Sequence, residues 1–185
     1  KIGPSSIIKM AKKLKLDQLS GLEDLGGEIR TFIPSPEWKK KRYKDRWYLA
    51  DTLNLSVGQG YISLTPIMLS NLISSIAYNG ILVAPTIDDN AIIQKENLEL
   101  NPESIDFVKK ALYIAVNKPG GTAYKHRINL HENTMSGKTG TAQVVSKASF
   151  KDDLNKTSDL KRRNHSVFLG FYPSHAPQYS ITVLI

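Results

Sequence analysis

Met135-Ser136-Gly137-Lys138-Thr139-Gly140-Thr141-Ala142 admits two incompatible readings. Taken up to Thr139, it closes like a phosphate-binding loop; taken from Lys138 onward, it is a strand. The phosphate loop needs G-x-x-x-x-G-K-[ST] between a strand and a helix, because backbone N–H groups wrap the phosphates and the helix N-terminus faces them. Its first glycine would fall at position 132, where Glu132 sets a carboxylate that repels phosphate. After Thr139 come Gly140, Thr141, Ala142, Gln143, Val144 and Val145. Glycine, threonine and β-branched residues suit a strand there, not the start of a helix.

A strand has consequences for chemistry. With side chains alternating, Thr139 and Thr141 project to one face while Lys138 and Gly140 share the other. Two hydroxyls two residues apart on one face can both donate to a carboxylate lying along the strand. Gly140 permits close packing behind the strand or close approach of a peptide. Lys138 adds a positive field for an anionic substrate end. The plainer alternative is an edge strand with ordinary threonines and a surface lysine.

Around this strand the chain has 185 residues, 41% hydrophobic and 23% charged, enough to bury a core within one domain or a large piece of one. A net charge of +8 suits nucleic acid, an anionic membrane surface or an acidic substrate without choosing among them. The densest basic runs, Lys39-Lys40-Lys41-Arg42 and Lys161-Arg162-Arg163, stand apart with no recognition-helix pattern beside them and read as solvated surface, so nucleic acid is not the expected partner. The absence of cysteine excludes thiolate metal sites, disulfides and a cysteine nucleophile, and suits an oxidising compartment. The most apolar run, Ile67 to Pro85, is broken by Ser70, Asn71, Ser74, Ser75, Asn79 and Gly80, and reads as a buried helix, not a membrane span. There is no signal-peptide pattern. Lys1 opens without methionine and the chain stops inside a strand-like run, so a fragment is expected.

The element pattern is helical first and extended last. Pro4-Ser5-Ser6 with Ile7, Ala11 and Leu14 at helical spacing marks a capped helix. Gly21 to Asp51, rich in turn residues, reads as a long surface excursion, and Asn54 to Tyr61, with Gly58 and Gly60 around Gln59, as a tight loop. Thr65-Pro66 starts a helix that buries Ile67, Leu72, Ile73, Ile76 and Ala77 and ends at Asn79-Gly80. Asn101-Pro102-Glu103 opens another, with Ile105, Val108, Leu112 and Val116 inward and Pro119-Gly120-Gly121 as the stop. Strands follow from Thr134, over Ser166 to Phe171 and over Tyr179 to Ile185, with a charged loop at 151–163 between the first two. The expected class is α+β, helices packed on an antiparallel sheet.

Lys138-Thr139-Gly140-Thr141 resembles the K-T-G box of the penicillin-recognising serine transferases, the penicillin-binding proteins and serine β-lactamases. Pro34-Ser35-Pro36-Glu37-Trp38-Lys39, Trp47-Tyr48, Asp51 to Tyr61, Thr65-Pro66, Gly120-Gly121-Thr122-Ala123 and His165 to Pro173 resemble, in order, class B penicillin-binding proteins of the elongation type. The resemblance covers nearly the whole chain. It implies the transpeptidase fold shared with serine β-lactamases, and D,D-transpeptidation of peptidoglycan stem peptides through a serine acyl-enzyme that β-lactams also form. It implies that Thr139 and Thr141 hold the substrate carboxylate with Gly140 between them, that Lys138 supports proton transfer, and that the Thr141 N–H is an oxyanion donor. The parent would be anchored in a bacterial inner membrane with this domain in the periplasm, partnered by a membrane glycan polymerase.

The family requires S-x-x-K, then S-x-N or S-x-D, then K-T-G. Ser6-Ile7-Ile8-Lys9 matches the first box literally, but it is expected to be a decoy, since no S-x-N box follows it before Lys138 in the expected place and Lys1 to Leu16 resembles the helix after the second box. The chain is thus expected to be the C-terminal part of a transpeptidase domain, helical over about 1–125 and stranded over about 133–185, inactive by itself. His131, His165 and His175 have no metal-site spacing, and Asp152-Asp153 lies in the charged loop, so no metal or cofactor is expected. The loop from Ser56 to Gly60 either lines the cleft or is a structural turn. Two further readings are a non-catalytic module for cell-wall or other anionic polymers, and a β-lactamase or sensor relative, against which the Trp38 and Gly58-Gln59-Gly60 segments speak.

Overall fold

The computed structural model describes residues 2–22, 26, 28–128, 134–142 and 164–185. Gln143 to Val145, His131, Glu132, Asp152-Asp153, the charged loop at 151–163 and the basic run from Lys161 lie outside them.

Helix α1 (Pro4–Lys13) begins with Gly3 as its cap and Pro4 as its first residue; contrary to expectation, no serine side chain caps it. Proline does the work alone, since its fixed φ suits the first turn and the missing N–H is not needed there. Ala11, with Ile8 and Leu14, turns into a core completed by Leu16, Ile33 and Met68.

The stretch from Gly21 to Asp51 is no surface excursion. It holds α2 (Pro36–Tyr43) and the start of α3 (Leu49–Ser56). Ser35 Oγ accepts the Trp38 N–H at 3.1 Å and Pro36 opens the helix, so prolines that suggested turns include one that marks a helix start. Pro34 is fully buried. Helix α3 also takes in Asn54 to Ser56, so the tight loop is shorter than the sequence suggested, its turn formed where Gly58 and Gly60 adopt φ of +72° and +84°.

Helix α4 (Pro66–Ala77) starts as expected, the Thr65 hydroxyl accepting the Met68 N–H. It has two inward faces. Met68 and Leu72 enter the first core, while Ile73 and Ala77 meet Phe171, Leu112 and Leu169 in a second. After Asn79 and Gly80, both at positive φ, the chain forms a short antiparallel ribbon, β1 (Ile81–Val83) with β2 (Lys95–Asn97). The sequence reading missed this ribbon, because three residues are too few to show alternation.

Helix α5 (Pro102–Asn117) is capped by Asn101, whose Oδ1 accepts the Ser104 N–H at 2.9 Å. Ile105, Leu112 and Val116 face inward, but Val108 is exposed, and Lys109 takes the place one turn after Ile105. Its ammonium donates to the Ala77 carbonyl at 3.1 Å and to Asn79 Oδ1 at 2.9 Å, satisfying the C-terminal end of α4.

The main sheet is antiparallel in the order β3 (Ser136–Ala142), β4 (His165–Tyr172), β5 (Tyr179–Leu184), as the sequence indicated. Helix α5 packs against β3, and α4 against β4 and β5. Phe171, 1% exposed, plugs the interface; burying such a ring contributes about 1.5–3 kcal/mol. The α+β class holds, with its sheet covered by helices.

Candidate active site

Strand β3 is fastened at its start. Asn117, the last residue of α5, donates from Nδ2 to the Met135 carbonyl at 2.8 Å. The buried Ser136 hydroxyl donates to Ser174 Oγ at 2.8 Å, and Ser174 Oγ donates to the Thr134 carbonyl at 2.9 Å. From there the strand runs outward to Lys138, Gly140 and Thr141, all exposed, with Thr139 half-buried.

The register fixes which way the backbone faces. Thr141 lies opposite Ser166 on β4. Ser166 exchanges both of its backbone hydrogen bonds with Ile185, at 2.8 and 2.9 Å, so its polar groups point away from β3. Facing residues of an antiparallel pair either exchange both bonds or neither. The Thr141 N–H and carbonyl therefore point off the open edge of the sheet, and two residues back so do those of Thr139. Gln59 confirms this, since its Nε2 reaches the Thr141 carbonyl from outside at 2.6 Å.

Register also sorts the side chains. Thr139 stands opposite Phe168 and Thr141 opposite Ser166, on one face; Lys138 stands opposite Leu169, on the face that meets α4 and α5. The Thr139 hydroxyl donates to Thr122 Oγ1 at 3.0 Å, and the Lys138 ammonium folds back on the Thr139 carbonyl at 2.6 Å. Gly140 is not the packing glycine. A Cβ there would meet nothing nearer than Val167 at 3.9 Å, whereas one on Gly137 would fall 2.5 Å from both the Leu169 carbonyl and the Phe168 ring.

Two neighbours of β3 come from segments that the sequence left undecided or did not single out as site residues. Thr122 follows Gly120, at φ +86°, and Gly121, where a Cβ would collide with the Ala115 carbonyl. That turn, closed by the Ala123 N–H donating to Ala115 at 3.0 Å, folds the chain back over the end of α5 and delivers Thr122 to Thr139. The Gln59 loop touches β3 through Thr141, which settles that it borders this strand. A pair of glycines around one polar residue was the signal available for it.

The loop hangs from α3, and α3 is clamped to α2. Lys39, 5% exposed, donates from Nζ to Asp51 Oδ2 at 2.7 Å, lies 3.5 Å from Asp45, and sits over the Tyr48 ring at 4.6 Å. The same Asp51 oxygen accepts the Tyr48 N–H at 2.7 Å, capping α3. The Asp51 hydrogen bond raises the Lys39 pKa, against burial and with help from the Asp51 and Asp45 charges. The Tyr48 hydroxyl holds the Asp45 carboxyl below its ordinary value, burial opposing, with the Arg46 N–H and Lys39 assisting. Of the basic run from Lys39 to Arg42, only the last three residues are solvated surface. Phe32, Trp38, Tyr43 and Tyr61 stack beside the clamp with centroids 4.8 to 5.5 Å apart.

Ser6 and Lys9 are both exposed on α1. Among the described residues, no three acidic or histidine side chains gather as a metal site, and no helix is long and apolar enough to cross a membrane.

The profile of the penicillin binding protein transpeptidase domain matches residues 1–185. The chain therefore belongs to the penicillin-binding protein transpeptidase family. Within it, the likeness is to the class B, PBP2/MrdA type. It is 29% identical over 174 residues to the peptidoglycan D,D-transpeptidase MrdA of Escherichia coli, covering 88% of this chain and 27% of that protein. To MrdA of Acinetobacter baumannii it is 30% identical over 172 residues, 87% of this chain and 25% of the relative. The penicillin-binding protein PBP2 of Helicobacter pylori, solved in complex with MreC, superimposes with a TM-score of 0.80 at 28% identity, over 99% of this chain and 32% of that one. Pseudomonas aeruginosa PBP2 gives 0.75 at 27% identity, over 99% and 38%. The chain thus spans a quarter to well under half of these relatives.

Proposed function

We propose that this chain is the C-terminal part of the transpeptidase domain of an elongation-type class B penicillin-binding protein, and that β3 is the substrate-binding wall of its active site. The observation that carries this reading is the open edge of β3, where the Thr141 N–H points outward and Thr139 and Thr141 share a side-chain face. In this reading the two hydroxyls hold the terminal carboxylate of a stem peptide, Gly140 leaves room between them, and Lys138 supports proton transfer. The Thr141 N–H donates to the oxyanion as a serine oxygen bonds to the penultimate D-alanine carbonyl. The C–N bond to the terminal D-alanine then breaks, D-alanine leaves with a proton, and an amine of a neighbouring strand resolves the ester.

The nucleophile and its lysine belong to another part of the parent protein. Ser6 and Lys9 satisfy the pattern because any helix sets residues i and i+3 on one side. In this reading the parent sits in a bacterial inner membrane with this domain in the periplasm. Its partners are stem peptides, β-lactams and a membrane glycan polymerase of the elongation machinery. The complex of H. pylori PBP2 with MreC supports a role for the parent in a larger assembly.

Intact-mass measurement after incubation with excess benzylpenicillin tests this. The expected result is one adduct on the complete parent protein and none on the 185-residue chain. An adduct on this chain mapping to Ser6 would make Ser6 and Lys9 the nucleophile and base; no adduct on the parent would remove the transpeptidase reading.

A further inference from the structure

We propose that Gln59 gates the edge of β3: its side-chain amide holds the Thr141 carbonyl, and an acyl donor with an extended peptide backbone must displace it. The inference rests on the transpeptidase reading above. Strand β3 ends the sheet among the described residues, and exposed edges of this kind bind extended peptides by adding a strand, whose N–H groups need the outward carbonyls. Here those carbonyls are already engaged. Gln59 Nε2 lies 2.6 Å from the Thr141 oxygen, and Lys138 Nζ lies 2.6 Å from the Thr139 oxygen. A donor in front of an oxygen that points off the edge stands where a paired strand's N–H would stand, about 2.9 Å out.

The construction of the loop makes the side chain the movable part. The Gln59 N–H donates to the Asn54 carbonyl at 2.8 Å, and Gly58 and Gly60 are fixed at positive φ. A Cβ on Gly60 would press on Asn54 at 3.3 Å, so the backbone is seated closely against α3. Release of Thr141 takes a change in the Gln59 χ angles, and the backbone hydrogen bond and glycine conformations of the turn do not have to change with it.

The gate predicts discrimination between acyl donors. Benzylpenicillin carries an amide N–H beside its lactam ring and competes with Gln59 for the Thr141 carbonyl; imipenem has no such amide. Acylation of the complete parent protein by each compound is measured for the wild type, Gln59→Ala and Gln59→Ser. Both variants are expected to acylate with benzylpenicillin about three- to tenfold faster at low concentration, the range set by one competing neutral hydrogen bond. The gain should come from a lower apparent Kd with an unchanged limiting rate, and imipenem should be unaffected. Rates with benzylpenicillin that stay level or fall, equal changes with both compounds, or loss of cooperative melting in both variants would overturn the gate in favour of a scaffold role. A wild type that neither compound acylates would instead sink the transpeptidase reading on which the gate depends.

Discussion

Among the glycines of β3 and β4, position and not composition decides the role. Gly137 and Gly170 face each other across the two strands, and the Phe168 ring lies across both. A Cβ on Gly170 would fall 2.8 Å from that ring and 2.9 Å from the Ser136 carbonyl. Gly137→Ala therefore forces the ring or the strand to move, an overpacking that costs about 1–3 kcal/mol. Gly140→Ala, with its nearest neighbour at 3.9 Å, meets only ordinary contact. Urea denaturation of the two variants should lower the midpoint for Gly137→Ala and leave it in place for Gly140→Ala; equal effects would remove the distinction. Loss of acylation in a stably folded Gly140→Ala parent would then report on space needed by the substrate. The strand itself was legible, because alternation of Thr139 and Thr141 needs only the sequence. Which glycine packs was not, because that depends on the partner strand's register and on where Phe168 lies.

At the scale of elements, the pairing of α2 with α3 turns on Lys39, and this is where sequence reading failed most. A lysine among Lys40, Lys41 and Arg42 has no local mark of burial; its acidic partners stand six and twelve positions later. The capping signals of α4 and α5, by contrast, act within three residues and were read correctly. The clamp has a defined pH window. Lys39 has a raised folded pKa, so its contribution is complete below the ordinary lysine value of roughly 10.4 and is lost as pH rises through the folded value. Asp45 has a lowered folded pKa, so its contribution is complete above roughly 3.9 and is lost as pH falls through the folded value. Lys39→Met should lower the melting temperature at neutral pH, and the gap from wild type should narrow as pH rises above about 10.4. A gap that stays constant through the alkaline range would show that Lys39 acts by packing alone.

Across the whole molecule, α4 is the element that both cores share, which predicts that the helical part and the sheet unfold as one cooperative unit. Met68 belongs to the core under α1, and Ile73, a turn and a half later, to the core under Phe171. The sequence revealed that α4 was apolar enough to be buried. It did not reveal two inward faces, because a helix between two cores and a helix in one large core have the same composition. Truncating either residue to alanine removes a 3% exposed side chain and should cost about 2–5 kcal/mol, a large share of the total for a domain of this size. If α4 couples the cores, Ile73→Ala must weaken the distant side equally. Trp38 stacks on Phe32, next to Ile33 of the first core, so its fluorescence reports that side, while amide exchange in β4 reports the sheet. In Ile73→Ala the stability measured by tryptophan fluorescence in urea and by exchange of the β4 amides should fall by the same amount. A loss of β4 protection with the tryptophan midpoint unmoved would mean that the sheet opens without the helical part, and that α4 merely adjoins two independently stable units.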